Sequence, residues 1–167
     1  MKLSQLFGLL CVSCCGTGLA HAADMPPATD DLAIYAGKYP FDVVAGYSFF
    51  ENPKVVAALD GAAGPGMADW LDDLDVGTPI VRQEDGLIVA VCEAHNCGST
   101  NAALAISAQG RLIALCVFSK DGDLGTVPGQ VHWIGLGLDR YVGPPEAGGG
   151  CPGDADEFLE AYTRAIR

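Results

Sequence analysis

Positively charged residues are scarce in this chain of 167 residues. Nine lysines and arginines stand against 21 aspartates and glutamates, which gives a formal net charge of −12 at pH 7 and an isoelectric point near 4.3. A surface with this balance repels phosphate backbones and anionic lipid headgroups, so the composition argues against binding to nucleic acid or to a membrane surface. It fits a cationic partner, and it also fits an exported protein whose acidic surface serves only solubility.

Charged residues of either sign are few, at 18% of the chain, whereas half of the residues are hydrophobic. This composition excludes a disordered tail and a collagen-like or coiled-coil fibre, and the length allows one ordinary domain. Three common enzyme signatures are missing as well: a Ser/His/Asp ordering, a Gly-rich phosphate loop and a paired-carboxylate motif. The sequence therefore predicts a protein that is not an enzyme and that needs no cofactor.

Long apolar runs are absent except at the N-terminus, where residues 3–19 follow the positively charged Lys2. The small residues of Ala20-His21-Ala22 come next and match the kind of site that signal peptidases cleave. This pattern predicts a cleaved secretory signal peptide and hence a periplasmic protein. It does not predict a membrane-spanning helix, because such a helix needs a longer apolar run. A lipid anchor on Cys14 or Cys15 is the alternative.

Cleavage after Ala22 would divide the chain into a signal peptide (1–22), a flexible leader (23–31) and one domain (32–167). The cut removes one basic residue and no acidic one, so the mature chain keeps eight basic and 21 acidic residues, a net charge of −13. It also removes three of the seven cysteines. The remaining four would lie in an oxidising compartment, where disulfides are the expected state.

The four remaining cysteines permit three disulfide connectivities. Only four residues separate Cys92 from Cys97, so the spacing favours a bond between these two. Elimination would then leave Cys116 paired with Cys151.

The hydrophobic periodicity predicts an α+β domain, in which short helices pack on a central antiparallel sheet of about five strands. Alternating or wholly apolar runs mark these strands, at 78–83, 87–92, 100–107, 111–118 and 130–134. Some runs are apolar on both faces, so we expect both faces of the sheet to be covered at least in part. Capping residues and apolar stripes predict three helices, one from Pro53 to about Gly61, one from Met67 to Leu74, and one that follows Asp154.

One short segment between two predicted strands carries the residues of chemical interest: Cys92-Glu93-Ala94-His95-Asn96-Cys97. As a metal site it offers two sulfurs and one nitrogen, but zinc needs a fourth ligand and an exported cysteine pair readily oxidises. The spacing also differs from the Cys-x-x-Cys of redox proteins. A third interpretation is a protruding surface loop that a disulfide closes, with an incidental histidine. The residues alone leave these interpretations open.

The segment from Val91 to Ser99 resembles the signature loop of the inhibitor of vertebrate lysozyme (Ivy) family, which reads Cys-Lys-Pro-His-Asp/Asn-Cys and is commonly followed by Gly/Ala-Ser. Its surroundings are similar as well, with Thr78-Pro79 upstream and His132-Trp133 downstream. The likeness spans roughly Leu32 to Leu138 and is strongest from 78 to 134.

The resemblance implies an exported inhibitor, not an enzyme, whose protruding loop enters the substrate cleft of c-type lysozyme. In the family the loop histidine reaches the catalytic carboxylates, and this role falls on His95. The Asp/Asn position of the motif corresponds to Asn96, and the disulfide that flanks the loop corresponds to Cys92 and Cys97. Members of the family occur as monomers or homodimers.

Two positions of the predicted target-binding loop depart from the motif, because Glu93 replaces the family's lysine and Ala94 replaces its proline. A relative with a changed target is therefore the alternative, for example one that binds a lytic transglycosylase in the periplasm. A metal-binding module that uses Cys92, His95 and Cys97 is a further alternative function.

The predicted processing is testable on material isolated from the periplasm. We expect the exported chain to begin at or near Ala23 and to carry no lipid, because Ala20-His21-Ala22 supplies the small residues that cleavage needs. Intact-mass measurement checks both points. A diacylglycerol adduct on Cys14 or Cys15 would contradict the prediction.

Overall fold

Seven strands form one antiparallel sheet at the centre of the computed structural model, which describes residues 31–122, 126–143 and 150–167. The strands are β1 (Val76–Gly77), β2 (Val81–Gln83), β3 (Gly86–Cys92), β4 (Thr100–Ser107), β5 (Leu112–Ser119), β6 (Val131–Gly135) and β7 (Leu138–Val142). Their order is β1-β3-β4-β5-β6-β7, and β2 pairs with the same strand β3 as β1 does. The predicted signal peptide and residues 23–30 of the predicted leader lie outside the described residues.

The sheet has more strands than the five that the sequence predicts, although its antiparallel arrangement is as expected. The predicted strand at 78–83 is shorter, because Pro79 has no N–H to donate and the N–H of Ile80 bonds instead to the carbonyl of Lys38 at 2.8 Å. The additional strands are β1, which has only two residues, and β7, whose middle residues are exposed. Neither has the apolar run by which a strand is detected in a sequence.

Helices cover both faces of the sheet, which confirms the mixed helix and sheet architecture. One face packs against a 3-10 helix (Leu32–Tyr35), α1 (Pro53–Ala63) and α2 (Met67–Asp72), and the other against α3 (Ala155–Ala165). Alternate residues of the central strands point to the two layers: Leu87, Val89, Val91, Leu104 and Leu115 to the first, and Ile88, Ala90, Ala103, Cys116 and Trp133 to the second. This double burial explains the strands that are apolar throughout.

The helix α1 begins as predicted but ends later. The side chain of Asn52 accepts a hydrogen bond from the N–H of Lys54 at 3.0 Å, and Pro53 occupies the first helical position. The prediction that Gly61 ends the helix is wrong, because the chain continues in helical conformation to Ala63. The end comes at Gly64, whose φ of +100° most other residues avoid. The helix α2, in contrast, ends earlier than predicted, at Asp72 instead of Leu74.

The helix α3 begins at the predicted capping residue. The carboxylate of Asp154 accepts a hydrogen bond from the N–H of Glu157 at 2.9 Å. Phe158 and Tyr162 pack against the ring of Trp133, with centroid distances of 5.4 and 6.0 Å. Among the described residues, no helix is long and apolar enough to cross a bilayer.

The structure contains both expected disulfides: Cys92–Cys97, which the spacing favours, and Cys116–Cys151, which elimination leaves. The second joins β5 to the segment before α3 and bridges residues 35 apart in the chain, whereas the first spans only five. A longer ring removes more conformational freedom from the unfolded chain. The bond before α3 is therefore expected to contribute more to global stability.

The two disulfides should differ in a stability measurement. We expect Cys116→Ala/Cys151→Ala to lower the free energy of unfolding by about 4 kcal/mol, and Cys92→Ala/Cys97→Ala by about 2 kcal/mol, according to the chain-entropy relation. Urea unfolding of the two variants beside the parent protein gives both values. A larger loss for the loop pair would contradict this assignment of global stability.

Candidate functional site

The candidate site is the connection between β3 and β4, and the pairing of these strands holds its two ends together. Cys92 is directly opposite Asn101 in the ladder. One further hydrogen bond extends the pairing into the loop, from the N–H of Glu93 to the carbonyl of Thr100 at 3.1 Å. The connection therefore begins from a narrow base that the sheet fixes.

Residues 93–96 form a tight turn at the end of this connection. The N–H of Asn96 bonds to the carbonyl of Glu93 at 3.0 Å, which closes a four-residue β-turn. His95, in the third position, has a φ of +63°, whereas Ala94 in the second position has a negative φ. This combination is that of a type II turn. Histidine tolerates the left-handed region better than β-branched residues do, so the imidazole is presented from an uncommon but allowed backbone conformation.

The side chains of Glu93 and His95 are exposed, whereas Ala94 and Asn96 are partly buried. The carboxylate of Glu93 accepts a hydrogen bond from the side-chain amide of Asn96 at 2.6 Å. The structure thus brings together the four predicted loop residues and adds a contact between two of them that the sequence analysis missed. The acidic group is held within the loop and lies two residues from the imidazole along the chain.

The Cys92–Cys97 disulfide bears directly on the metal interpretation. A disulfide sulfur is not a thiolate, so it does not supply the ligand that zinc requires. Within the described residues, no group of three or more His, Cys, Asp or Glu side chains is arranged to hold a metal ion. The geometry therefore favours a closed loop over a metal site.

The second half of the loop is fixed by backbone contacts. The carbonyl of Asn96 accepts hydrogen bonds from the N–H groups of Ser99 and Thr100, at 2.8 and 3.0 Å. The carbonyl of Ser99 in turn accepts one from Lys120 just beyond β5, at 2.8 Å. Asn101 adds a side-chain hydrogen bond to the carbonyl of Cys97. The loop is thus held by bonds at several of its residues as well as by its disulfide.

Of the described residues, His132 is the other histidine, and it belongs to the strand β6. Its Nε2 lies 2.7 Å from the carboxylate of Asp139 on β7, and its ring stacks on Tyr141 with a centroid distance of 4.0 Å. Both contacts join β6 to β7, so His132 has a structural role in the β6–β7 hairpin.

A polar cluster beside α2 contains Asp72, a carboxyl group whose pKa is raised. Burial raises the pKa of Asp72 above its ordinary value, and the nearby Glu51 raises it further, whereas the hydroxyl of Ser48 lowers it by donating to Asp72 at 3.4 Å. Glu51 itself accepts a hydrogen bond from the N–H of Ser48 at 3.0 Å. The cluster therefore links α2 to the segment that precedes α1.

Comparison with known proteins gives one family. The family model described as inhibitor of vertebrate lysozyme (Ivy) matches residues 54–148, which is more than half of the chain and includes the whole loop. Neither the curated proteins nor the solved structures contain a significant match to the chain.

Proposed function

The chain belongs to the inhibitor of vertebrate lysozyme family, and we propose that it is an exported inhibitor of c-type lysozyme that blocks the active-site cleft with its Cys92–Cys97 loop. The observation that carries the proposal is the exposed His95, held at the turn of a disulfide-closed loop. In this role the protein catalyses nothing and needs no cofactor.

The chemistry of the target fits an imidazole. Lysozyme cleaves its polysaccharide with two carboxyl groups in a narrow cleft. A blocking group must be compact enough to enter the cleft and must satisfy those two acids. A protonated imidazole has an N–H donor on each of its two ring nitrogens, so His95 can serve both carboxyl groups from one side chain.

The closed loop lowers the entropic cost of binding. A flexible loop must lose conformational freedom when it enters a cleft, and this loss weakens affinity. Here the disulfide and the turn bond between Asn96 and Glu93 already restrict residues 93–96 in the free protein. The imidazole therefore enters the cleft at little further cost in loop ordering.

The net charge supports the same partner. The chain carries −12 before cleavage, and c-type lysozyme is strongly basic. Opposite net charges accelerate diffusional encounter and raise the association rate at low salt. The acidic composition thus acts at long range, whereas His95 acts at contact.

Glu93 is the feature that most affects the choice of target. Its carboxylate belongs to the same turn as the imidazole that is to meet two other carboxyl groups, two residues away along the chain, and repulsion between like charges opposes that approach. The hydrogen bond from Asn96 holds the carboxylate within the loop but leaves its charge in place. A cleft with a basic residue at its rim would turn this repulsion into attraction. A second candidate function follows, in which the same loop inhibits a lytic transglycosylase with such a rim.

The imidazole is tested by replacing His95. We expect His95→Ala to weaken inhibition by about 2 kcal/mol or more, roughly 30-fold, because its removal leaves the carboxyl groups of the target without a partner. The inhibition constant is measured by clearing of a bacterial cell suspension with c-type lysozyme.

The matched control for that test is His95→Gly, because glycine accepts the positive φ of this position without strain. It removes the imidazole while preserving the turn, so it should lose as much inhibition as His95→Ala. If His95→Gly inhibits as well as the parent protein does, the imidazole is not the group that blocks the cleft.

The carboxylate is tested with two replacements of Glu93. Glu93→Gln retains an acceptor for Asn96 and removes the charge, whereas Glu93→Lys reverses the charge and restores the family's residue. We expect both to strengthen inhibition of c-type lysozyme, and the lysine variant by more, because each removes a repulsion. The inhibition constants of the two variants and the parent give the order. If both variants inhibit more weakly, Glu93 meets a basic residue of the target.

A further inference from the structure

One side-chain amide joins the two disulfide-bonded parts of the molecule. Asn101 is the second residue of β4, and only 7% of its surface is exposed. Its Nδ2 donates to the carbonyl of Cys97 at the end of the loop. Its Oδ1 accepts from the N–H of Cys151, fifty residues further along the chain, at 2.7 Å. Both hydrogen-bonding groups of the amide are therefore engaged, one with the loop and the other with the segment before α3.

The close approach at Cys151 depends on the glycine that precedes it. Gly150 has a φ of +61°, and a β-carbon at this position would lie 2.5 Å from Oδ1 of Asn101 and 2.4 Å from the ring of Phe118. Such distances are well inside van der Waals contact, so a side chain at residue 150 would push the segment off the amide. The segment before α3 is thus built to approach Asn101.

Packing does not replace these hydrogen bonds, because the space beside the amide is only partly filled. A cavity of about 310 Å³ lies there, and its walls include Cys92, Cys97, Asn101 and Cys151. The loop base and the segment before α3 therefore face each other across open volume. The amide of Asn101 is a direct polar connection between them.

The segment before α3 is itself fixed to the rest of the fold. Cys151 is bonded to Cys116 in the middle of β5, and α3 packs through Phe158 on Trp133. At the other end of α3, the guanidinium of Arg140 donates to the carbonyl of Ala165 at 3.1 Å. Cys151 thus belongs to a rigid part of the molecule, and Asn101 connects the loop to that part.

We propose that Asn101 is a positioning residue for the loop: by bonding to Cys97 and to Cys151, it makes the orientation of the loop depend on the Cys116–Cys151 disulfide and on α3. The residue does not reach the target and acts through the backbone at Cys97. Its effect on inhibition rests on the function proposed above, whereas its effect on the free loop does not.

The sharpest variant is Asn101→Asp. Aspartate keeps an acceptor for the N–H of Cys151, but its carboxylate has no donor for the carbonyl of Cys97. The change therefore removes the bond to Cys97 and keeps an acceptor for Cys151. Asn101→Ala removes the bonds to both Cys97 and Cys151. Gly150→Ala keeps asparagine at residue 101 but disturbs the approach of the segment before α3 to it.

A matched control is available at the other end of the same strand. Ser107 is also a buried polar residue of β4, and its hydroxyl accepts a hydrogen bond from the N–H of Arg111 at 3.1 Å. Ser107→Ala removes one buried polar contact far along the strand from the loop. It reports the effect of a general loss of stability.

The experiment is residue-resolved hydrogen exchange on the mature, disulfide-bonded protein. We expect Asn101→Asp and Gly150→Ala to accelerate exchange at the loop amides of Asn96, Ser99 and Thr100 by about tenfold or more, while Leu104 in the centre of β4 is unchanged. Ser107→Ala should leave the loop amides unchanged. The proposal is overturned if Asn101→Asp leaves the loop amides at parent rates, or if loop and sheet amides accelerate equally.

Two further measurements complete the test. In the Cys116→Ala/Cys151→Ala variant, the same loop amides should accelerate, and unchanged rates there overturn the proposal even if the Asn101 variants do not fold. In lysozyme binding, Asn101→Asp should raise the dissociation rate by about tenfold in the parent protein and have no effect in the His95→Ala background. If the parent protein does not bind lysozyme, the proposed function fails while the exchange rates still decide the role of Asn101.

Discussion

The pairing of β3 with β4 fixes where the loop starts and which way its ends point. Cys92 faces Asn101 at the last rung of this ladder, and seven backbone pairs between the strands maintain the register. A slip of one residue would turn every side chain to the opposite face. A slip of β3 would point Cys92 away from the α3 layer, whereas a slip of β4 would take the amide of Asn101 away from Cys151. The chemistry of the loop thus depends on the register of the sheet.

The burial of both faces makes that register firm. Helices α1 and α2 cover one face and α3 covers the other, so β3 and β4 have apolar contacts on each side. A loop that carries function needs such a scaffold, because binding groups on a mobile base lose affinity when they are ordered.

The parts of the fold that were predictable from the sequence depend on neighbours along the chain. Asn52 and Asp154 cap helices within three residues of themselves, and the short spacing of Cys92 and Cys97 favours their bond. The strand β7 was not predictable, because its pairing with β6 is not matched by an apolar run. Gly61 misled the prediction, since a glycine can also lie within a helix; the positive φ that accompanies the helix end is found at Gly64.

In the candidate site, too, the features set by neighbouring residues were predictable and those set by distant residues were not. The loop and its histidine were found from the motif, but the bond between Glu93 and Asn96 requires the turn to bring residues three apart together. The role of Asn101 could not be found at all, because its partner Cys151 is fifty residues away. Nothing in an isolated asparagine in a strand indicates such a partner. Long-range hydrogen bonds of single side chains leave no periodic signal in a sequence.

Competition with a cleft-binding oligosaccharide tests the central claim most directly. A short oligomer of N-acetylglucosamine occupies the substrate cleft of lysozyme, and the affinity of this protein for lysozyme can be measured by calorimetry at increasing oligomer concentration. If the loop enters the cleft, the apparent dissociation constant should rise linearly with the concentration of free oligomer, and no ternary complex should form. An affinity that is indifferent to the oligomer would contradict the account, because the protein would then bind lysozyme outside the cleft.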